Sequence, residues 1–204
     1  MVQESVLKKY RARLVKLRKG EIVFQQGDAA TNFHIVKSGK VKMITYNDEG
    51  KEFVQGYFTE NQSFGEPPFF NNLPYPATAI AVTESEVWKC PYESFMNLLR
   101  ENFEIHLKLT QALSGRLVYK SMMLSEIAGE ESEHRLTTLI EYFRREDGVS
   151  RNQPYKVPFT RQQLADMTGL RVETVIRSIK AMEQKKTLRL DKSGKITWLK
   201  RVHQ

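Results

Sequence analysis

The stretch FTRQQLADMTGLRVETVIRSIKAME, residues 159–183, predicts two short helices that meet at a glycine. Thr160 can accept free backbone N–H groups at the start of the first helix, and Gln163, three residues later, can complete a capping box. Gly169 then supplies the tight turn, because glycine adopts the left-handed backbone conformation at little cost. The stretch is therefore expected to form a helix-turn-helix.

The second helix of this stretch has two different faces. Its inward positions recur at helical spacing and are Val175, Ile179 and Met182. Its outward positions are Val172, Glu173, Ile176, Arg177 and Lys180. A face that combines a carboxylate, a guanidinium and small apolar groups suits base edges in a DNA major groove. The alternative is an ordinary helical hairpin, in which Glu173 and Arg177 form a surface ion pair that contributes only about 0.2–0.5 kcal/mol.

The residues that follow favour a winged helix. Arg189 and Leu190 precede the turn sequence Asp-Lys-Ser-Gly at residues 191–194, and the alternating segment at residues 195–199 completes a β-hairpin. These residues resemble the DNA-binding domain of the Crp/Fnr family of bacterial transcription regulators, and the run GLRVETVIRSIKAME at residues 169–183 resembles its recognition helix. The DNA-binding residues that we predict are Thr160, Arg161, Arg171, Val172, Glu173, Ile176, Arg177 and Lys180.

The recognition helix carries further expectations from this resemblance. Arg171 stands where relatives usually have a capping Ser or Thr. An arginine cannot accept backbone N–H groups, so we expect Arg171 to contact phosphate instead. Val172, Glu173 and Arg177 match the Fnr branch of the family, which implies a half-site similar to TTGAT. Ile176 replaces a serine of that branch, which leaves the flanking thymine preference open.

The positive charge of the chain is concentrated in its last quarter. The 204 residues carry 32 Lys and Arg against 24 Asp and Glu, a net charge of +8. Residues 1–150 hold 19 basic against 20 acidic residues, whereas residues 151–204 hold 13 against 4. A basic domain next to a neutral one predicts a polyanion partner, here double-stranded DNA, with phosphate contacts supplying most of the affinity.

The first ninety residues predict short antiparallel strands separated by glycine turns, the pattern of a small barrel or roll. Three motifs occur in order: G-E-I-V-F-x-x-G-D from Gly20, F-x-I-x-x-S-G-x-V from Phe33 and F-G-E from Phe64. Their order resembles the cyclic-nucleotide-binding fold over residues 18–90. The predicted fold class is α+β, with an N-terminal antiparallel β-roll, a long dimerisation helix and a C-terminal winged helix-turn-helix.

Residues 92–128 predict one long helix with apolar positions on two faces. One face, expected to pack on the roll, carries Leu98, Ile105, Leu109 and Met123. The other face carries Leu113, Leu117 and Leu124. For that face the family resemblance implies the same helix of a second chain as partner, in a two-fold homodimer. The Gly-Glu-Glu sequence at residues 129–131 predicts a hinge, so domains are expected at residues 1–128 and 129–204.

The family resemblance also implies an effector site between the roll and the long helix. Its residues in this chain would be Phe64, Gly65, Glu66, Tyr75, Thr78, Lys120 and Ser121. In members that respond to cyclic AMP, an arginine after the F-G-E motif binds the phosphate, but Pro76 occupies that position here and residues 64–82 contain no Lys or Arg. Since a buried phosphodiester needs a cation or several N–H donors, we expect this protein not to use cyclic AMP.

The identity of any effector is left open by these residues. The aromatic side chains after the F-G-E motif favour either a collapsed core or an apolar effector. Glu66, which holds a ribose hydroxyl in relatives, is more simply explained here as an acceptor that stabilises a turn. Lys120, on the long helix, could act as a replacement cation.

Other classes of function lack support in the sequence. Cys90 is the only cysteine, so one chain can build neither a disulfide framework nor a protein-ligated iron–sulfur cluster. The histidines are His34, His106, His134 and His203. They include no pair at metal-binding spacing, and no catalytic constellation is evident, so we expect no metal, no cofactor and no enzymatic activity. No segment resembles a signal peptide or a membrane span, so we expect a cytoplasmic protein.

The expected function is that of a sequence-specific DNA-binding transcription regulator, a homodimer on a near-palindromic site. The family resemblance implies RNA polymerase as a further partner. The alternative from another class is a ligand-sensing module that acts on protein partners, which the roll alone would permit. The positive charge of residues 151–204 and the outward Glu173 and Arg177 favour the DNA-binding regulator.

Overall fold

Antiparallel strands form most of the first half of the chain, as the glycine-separated alternating pattern predicts. The computed structural model describes residues 2–46, 50, 52–129 and 131–199, and the side chains of all of these except 126–129. Two compact units, Met1–Leu113 and Ser114–Gln204, make up the chain. Parts of the predicted turn at residues 48–50 and of the predicted hinge at 129–131 lie outside the described residues, as does His203.

Two four-stranded antiparallel sheets make the roll of the first unit. Its strands are β1 Arg13–Leu17, β2 Ile22–Phe24, β3 Asn32–Ser38, β4 Val41–Tyr46, β5 Glu52–Phe58, β6 Ser63–Phe64, β7 Thr78–Ala81 and β8 Ser85–Pro91. One sheet has the strand order β1-β8-β3-β6 and the other has β2-β7-β4-β5. The antiparallel roll that the three sequence motifs predict is therefore confirmed.

Strand β3 is buried on both faces. Phe33 and Ile35 belong to an apolar cluster that includes residues of helices, whereas Val36 belongs to a second cluster inside the roll. Successive side chains of a strand point to opposite faces, so a strand covered on both sides needs a nearly continuous apolar run. His34 is the one polar residue in the Phe-His-Ile-Val run of β3.

The helices of the first unit differ from the predicted single long helix. They are α1 Glu4–Lys9, α2 Glu66–Asn71, α3 Tyr92–Glu101 and the first part of α4 Phe103–Gly129. The prediction of one continuous helix from residue 92 is wrong, because α3 ends at Asn102, whose φ and ψ are −133° and 80°. Asn102 Nδ2 donates to the Leu98 carbonyl at 2.9 Å and to the Tyr10 hydroxyl at 3.2 Å. Such side-chain bonds compete with the helical backbone ladder.

The helix face that was expected to pack on the roll does so only in its first part. Leu98 and Leu109 are buried, and Ile105 is half-buried, in the cluster that also contains Phe33. Met123 is instead buried in the core of the second unit, so its predicted place on the roll is wrong. Helix α4 therefore contributes side chains to the apolar cores of both units.

The second unit begins within α4 and is a winged helix-turn-helix. Its further elements are α5 Ser132–Glu146, β9 Tyr155–Lys156, α6 Arg161–Thr168, α7 Val172–Gln184, β10 Leu188–Leu190 and β11 Ile196–Trp198. The predicted hairpin of β10 and β11 is confirmed. Strand β9 pairs with β11 and adds a third strand to this sheet, which the sequence motifs do not predict. The predicted domain boundary after residue 128 stays a prediction.

The core of the second unit joins all its helices to the small sheet. Its most deeply buried members are Leu136, Leu139, Ile140, Leu164, Val175, Ile179, Leu188, Ile196 and Trp198. Burial of each large apolar side chain favours folding by about 1.5–3 kcal/mol. Among the described residues, no helix combines the length and the apolar character that a membrane crossing requires.

The interior of the roll places aromatic rings around His34. The His34 ring centroid lies 5.2 Å from that of Phe24 and 5.3 Å from that of Phe64. His34 is 3% exposed, and its Nδ1 atom is buried without a hydrogen-bond partner in the described structure. Burial, with the positive charge of Lys89 as a second cause, lowers the pKa of His34 to about 3. The imidazole is therefore neutral at neutral pH.

His34 should make the stability of the roll sensitive to acid. Because its pKa falls from the ordinary value of 6.5 to about 3 on folding, the unfolded chain takes up the proton first as the pH drops below 6.5. This group alone should lower the free energy of unfolding by about 1.4 kcal/mol per pH unit in that range. The His34→Phe variant keeps an aromatic ring, so its urea unfolding should lack this part of the pH dependence.

The matched control is His106→Phe, at an exposed position of α4, which should keep the wild-type pH dependence. Urea titrations from about pH 4.5 to 7 measure the difference between the variants, in which the carboxylates common to all three proteins cancel. An identical loss of stability in wild type and His34→Phe on acidification would contradict the role of the buried neutral histidine.

Candidate nucleic-acid interface

The first helix of the helix-turn-helix begins with the predicted capping box. Thr160 Oγ1 accepts a hydrogen bond from the Gln163 backbone N–H at 3.2 Å, and Gln163 Oε1 accepts one from the Thr160 N–H at 3.0 Å. Phe159 precedes the cap and packs against the apolar core that contains Leu164. This arrangement of an apolar residue on each side of the cap fixes the direction in which the chain enters α6.

The turn between α6 and α7 follows the sequence prediction. Gly169 has a φ of 68°, which is the left-handed conformation that a side chain would strain. Arg171 then precedes α7, and its side chain forms no capping hydrogen bond. The prediction that the recognition helix starts without a side-chain cap is confirmed, and the exposed Arg171 guanidinium points away from the core. The buried Thr168 hydroxyl donates to the Leu164 carbonyl, one turn earlier in α6, at 2.7 Å.

Helix α7 has the two faces that its sequence predicts. Its buried residues are Val175, Ser178, Ile179 and Met182. Glu173, Arg177 and Lys180 are exposed, and Ile176 is 40% exposed, which is high for a large apolar residue. Val172 departs from the predicted outward set, because it is half-buried and packs against the core of the unit. Its position in the first turn of α7, next to the buried Val175 row, accounts for this partial burial.

The charged groups on the outer face of α7 are not paired with each other. The structure describes both side chains, and no ion pair joins Glu173 to Arg177 among the pairs of the described residues. The alternative of an ordinary surface pair at these positions is therefore not what this structure shows. A carboxylate acceptor and a guanidinium donor remain available to a partner, next to the exposed Ile176.

Arg161, the first residue of α6, lies close to the recognition helix. Burial lowers the pKa of the Arg161 guanidinium, and the charge of Glu183 in α7 opposes that shift. The Glu183 carboxylate also accepts a hydrogen bond from the Leu190 backbone N–H at 3.0 Å. Glu183 therefore ties α7 to strand β10 by a hydrogen bond, and its charge acts on Arg161 of α6.

The tip of the β10–β11 hairpin presents two lysines that sequence reasoning did not assign. Asp191 Oδ1 accepts hydrogen bonds from the Ser193 N–H at 2.8 Å, the Ser193 hydroxyl at 2.7 Å and the Lys195 N–H at 2.9 Å. This turn is well defined, and Lys192 and Lys195 are exposed beside it. Two lysines within a five-residue turn between strands are the sequence signal that could have identified them.

The residues predicted for dimerisation differ in exposure. Leu117 and Leu124 are 67% and 70% exposed, and Val118 is 60% exposed. Leu113 is half-buried and packs against the apolar cluster of the first unit. Large apolar side chains that stand exposed side by side on a helix indicate an interaction surface. The uncovered stripe of α4 consists of Leu117, Val118 and Leu124.

The predicted effector residues of the first unit are buried among aromatic rings. Phe64 and Tyr75 are 1% and 3% exposed. The Tyr75 ring stacks on Phe24, with 3.6 Å between ring centroids and 9° between ring planes. A Cβ atom added to Gly65 would lie 3.0 Å from Tyr75 Cε1 and 3.1 Å from Phe24 Cζ. Side chains of the chain itself therefore occupy the space beside Gly65.

Glu66 lies in a setting that suits a structural role. It is 3% exposed and is the first residue of α2, directly after Gly65 in a left-handed conformation. The helix dipole favours a carboxylate in the first turn, whereas Pro67 and Pro68 supply no N–H groups there. Burial, followed by the negative charges of Asp28 and Glu66, raises the pKa of Tyr75. The Tyr75 hydroxyl donates to the Asn32 carbonyl at 3.2 Å.

The other predicted effector residues belong to different units, Thr78 to the first and Lys120 and Ser121 to the second. Thr78 Oγ1 accepts a hydrogen bond from the Gln26 N–H at 3.0 Å. Lys120 and Ser121 are exposed residues of α4 in the second unit. A cation that the sequence did not single out is Lys89, whose Nζ donates to the Val23 carbonyl at 2.9 Å. Lys89 lies opposite His34 in the β3–β8 register, a relation between distant residues that no local motif reveals.

The described histidines do not form a metal site. His34 is buried, whereas His106 and His134 are exposed. The described residues contain no group of three or more His, Cys, Asp or Glu side chains placed to hold a metal ion. Cys90 is buried, and burial raises the pKa of its thiol to about 11, so it has little thiolate character at neutral pH.

Two family models match the chain. The cyclic nucleotide-binding domain model matches residues 14–102, and the Crp-like helix-turn-helix domain model matches residues 134–202. The two matches cover most of the chain, in the order in which the sequence motifs occur. They coincide with the β-roll and with the winged helix-turn-helix of the structure.

Known transcription regulators are similar to the chain over most of its length. It is 29% identical over 179 residues to the cAMP-activated global transcriptional regulator CRP of Haemophilus influenzae, which covers 87% of this chain and 77% of that protein. It is 28% identical over 171 residues to the transcriptional activator protein FnrA of Stutzerimonas stutzeri, with 82% and 69% covered. The structure of FixK2 from Bradyrhizobium japonicum has the same fold, with a TM-score of 0.75 at 18% identity over 93% of each chain.

Proposed function

Because this chain belongs to the Crp/Fnr family of transcription regulators, which carry a helix-turn-helix DNA-binding domain, we propose that it binds a near-palindromic DNA site as a homodimer and does so without cyclic AMP. The observation that carries this proposal is the outer face of α7. There Glu173 and Arg177 are exposed and not paired with each other, and Ile176 lies exposed beside them. Such a surface fits base edges in a major groove.

Each outer residue of α7 would contact a different chemical group of the bases in one half-site. The Arg177 guanidinium can donate two hydrogen bonds to guanine O6 and N7, and the Glu173 carboxylate can accept one from a cytosine amino group. Ile176 can contact a thymine methyl group, which is the apolar feature of the major groove. A half-site similar to TTGAT contains a partner for each of these side chains.

The remaining predicted residues would contact phosphate. Thr160 and Arg161 lie at the start of α6, and Arg171 at the start of α7, where backbone N–H groups and the helix dipole already favour an anion. Lys180 adds an exposed ammonium further along α7. Contacts of this kind fix the position of a protein on the duplex, while base contacts select the sequence.

The uncovered stripe of α4 supports the homodimer. Leu117, Val118 and Leu124 are all at least 60% exposed in the single chain, and a second copy of the same helix would cover them in a two-fold arrangement. A dimer of this kind presents two recognition helices to two half-sites about one helical turn apart. Leu113 would lie at the edge of this interface, since the first unit already covers part of it.

The roll is proposed to act without cyclic AMP, unlike the regulator of Haemophilus influenzae, whose name describes it as cAMP-activated. Phe24 and Tyr75 stack beside Gly65, and residues 64–82 contain no Lys or Arg. Of the two readings of this segment, a collapsed aromatic core has more support than an apolar effector site, because the chain's own rings fill the space. The same filling disfavours a ligand-sensing module that acts on protein partners.

Arg177→Ala should weaken binding to the selected site by about 1–3 kcal/mol and relax the preference at one base pair. The probe is a duplex selected from random DNA by the wild-type protein, and affinity is measured against all substitutions of the guanine position. Arg100→Ala, at an exposed position of α3, removes the same charge from the first unit and should leave binding unchanged. Selection without a dyad motif, or normal discrimination by Arg177→Ala, would refute the assignment.

Leu117→Glu should convert the dimer to a monomer, because it places two unpaired charges in the seam between the α4 helices. Light scattering coupled to gel filtration at micromolar concentration measures the mass. Leu73→Glu is the matched control, since Leu73 is 57% exposed but lies outside α4, and it should remain dimeric. Wild-type protein with the mass of a monomer at that concentration would show that the stripe is not a self-association surface.

Isothermal titration of the protein with cyclic AMP and cyclic GMP should show no saturable binding, because the segment after the F-G-E motif lacks a cation for the phosphate. Two replacement cations can be tested in the same way. Micromolar, stoichiometric binding that Lys120→Ala abolishes would place the phosphate near α4, and binding that Lys89→Ala abolishes would place it near His34. Either result would mean that the phosphate-binding charge has moved within the chain.

A further inference from the structure

A partly buried hydrogen bond links the last strand of the wing, the β10–β11 hairpin with residues 188–198, to helix α5. Trp198 is 1% exposed, and its indole Nε1–H donates to Glu141 Oε1 at 2.6 Å. The other carboxylate oxygen, Glu141 Oε2, accepts hydrogen bonds from Arg144 Nε at 3.0 Å and Nη2 at 2.8 Å. Arg144 is itself 3% exposed and also donates to the Val149 carbonyl. One carboxylate therefore joins the wing to a buried guanidinium.

The carboxylate at the centre of this network is ionised at neutral pH. Burial alone would raise the pKa of Glu141, but the hydrogen bonds from Trp198 and Arg144 and the charge of Arg144 outweigh it and lower the pKa. A hydrogen bond to an ionised acceptor is about twice as strong as one between neutral groups. The bond from Trp198 is therefore a strong and directional restraint on the end of β11.

A second bond restrains the neighbouring strand in the same way. Tyr155 lies opposite Trp198 in the β9–β11 pairing, and its hydroxyl donates to Asp147 Oδ2 at 2.6 Å. Asp147 follows the last residue of α5. Both strands on this side of the sheet are thus tied to one helix by hydrogen bonds to carboxylates, in addition to the apolar core beneath them.

The other end of the wing carries positive charge at a fixed place. Asp191 holds the turn through three hydrogen bonds, and Lys192 and Lys195 are exposed there. In the part of the chain that the structure describes, neither lysine takes part in an ion pair. The wing starts directly after the recognition helix, to which the Leu190–Glu183 bond connects it. Its tip therefore has a defined position relative to α7.

We propose that the bond between Trp198 and Glu141 positions the wing, so that the two lysines at its tip contact DNA phosphates beside the half-site. This inference rests on the proposed function, since it needs α7 in the major groove. Trp198 and Glu141 do not touch the DNA in this arrangement. They act through the hairpin, by holding Lys192 and Lys195 in one place.

The salt dependence of DNA binding tests this role, because the slope of log K against log salt concentration changes by about 0.9 for each phosphate contact. Trp198→Phe keeps an apolar ring and removes the N–H. Its slope on the selected duplex should become shallower by up to about 1.8 per subunit, the value for two contacts. The double variant Lys192→Gln, Lys195→Gln should show the same shallower slope, and adding Trp198→Phe to it should change the slope no further.

Trp88→Phe is the matched control, since Trp88 is 5% exposed in the roll, and its slope should equal that of wild type. Hydrogen exchange of residues 188–198 should be faster in Trp198→Phe than in wild type, which a loss of contact charge alone would not produce. If Trp198→Phe fails to fold, Glu141→Asp takes its place, because the shorter carboxylate cannot hold both Trp198 and Arg144; the same slope is expected.

If the salt slope of Trp198→Phe equals that of wild type, the inference is overturned. The same holds if Trp198→Phe lowers the slope of the double lysine variant further. In both cases, binding of the selected duplex by wild-type protein still supports the proposed function. Wild-type protein that selects no duplex from random DNA would overturn the proposed function and this inference together. The inference is supported if Trp198→Phe and the double lysine variant each have a shallower salt slope, their combination has no shallower one, and Trp88→Phe has the wild-type slope.

Discussion

Burial of one face of α7 is the constraint on which the rest of the second unit depends. Val175, Ile179 and Met182 are each at most 2% exposed, and each favours folding by about 1.5–3 kcal/mol. Successive residues of a helix are rotated by about 100°, so packing this face against the core leaves Glu173 and Arg177 on the opposite face. The groups that suit base readout are thus placed by apolar contacts that never meet DNA. A core substitution that loosens the packing of α7 would weaken discrimination between base pairs and also lower the free energy of unfolding.

Local sequence predicts what local forces determine in this chain. The capping box of α6 lies within four residues, and the faces of α7 follow from helical periodicity alone, so both were predictable. The break at Asn102 is accompanied by a local hydrogen bond to the Leu98 carbonyl and by a second one to the Tyr10 hydroxyl, 92 positions away. The bond from Trp198 to Glu141 spans 57 positions. No periodicity or motif reports such pairs, because they exist only once the chain has folded, and the same reason hides Lys89 and the third strand of the wing sheet.

The roll shows that a strand order shared with other proteins does not determine which ligand, if any, its interior binds. Rings with centroids 3.6 Å apart, as in Phe24 and Tyr75, are in van der Waals contact. A site for a phosphate needs a charge or a ring of N–H donors in the same place, and stacked rings supply neither. The strands around the interior are held by backbone hydrogen bonds and by apolar contacts. An interior of stacked aromatic rings and an interior that binds a phosphate both allow these interactions. The fold can therefore be kept while the chemistry inside changes, and the residues inside, rather than the fold, carry the functional argument.

Affinity and register come from different properties of the second unit. Residues 151–204 carry 13 basic against 4 acidic residues, so attraction to any duplex follows from charge alone. A lysine on a mobile hairpin supplies this attraction wherever it reaches a phosphate, whereas a lysine on a fixed hairpin supplies it in one position only. Apolar packing could hold the wing without a buried ion pair, and often at lower cost in free energy. Apolar contacts, however, have no preferred direction, while a hydrogen bond to a carboxylate does. In the proposed arrangement the half-buried Glu141 sets the direction of the wing, and that direction decides which phosphates the two lysines could reach.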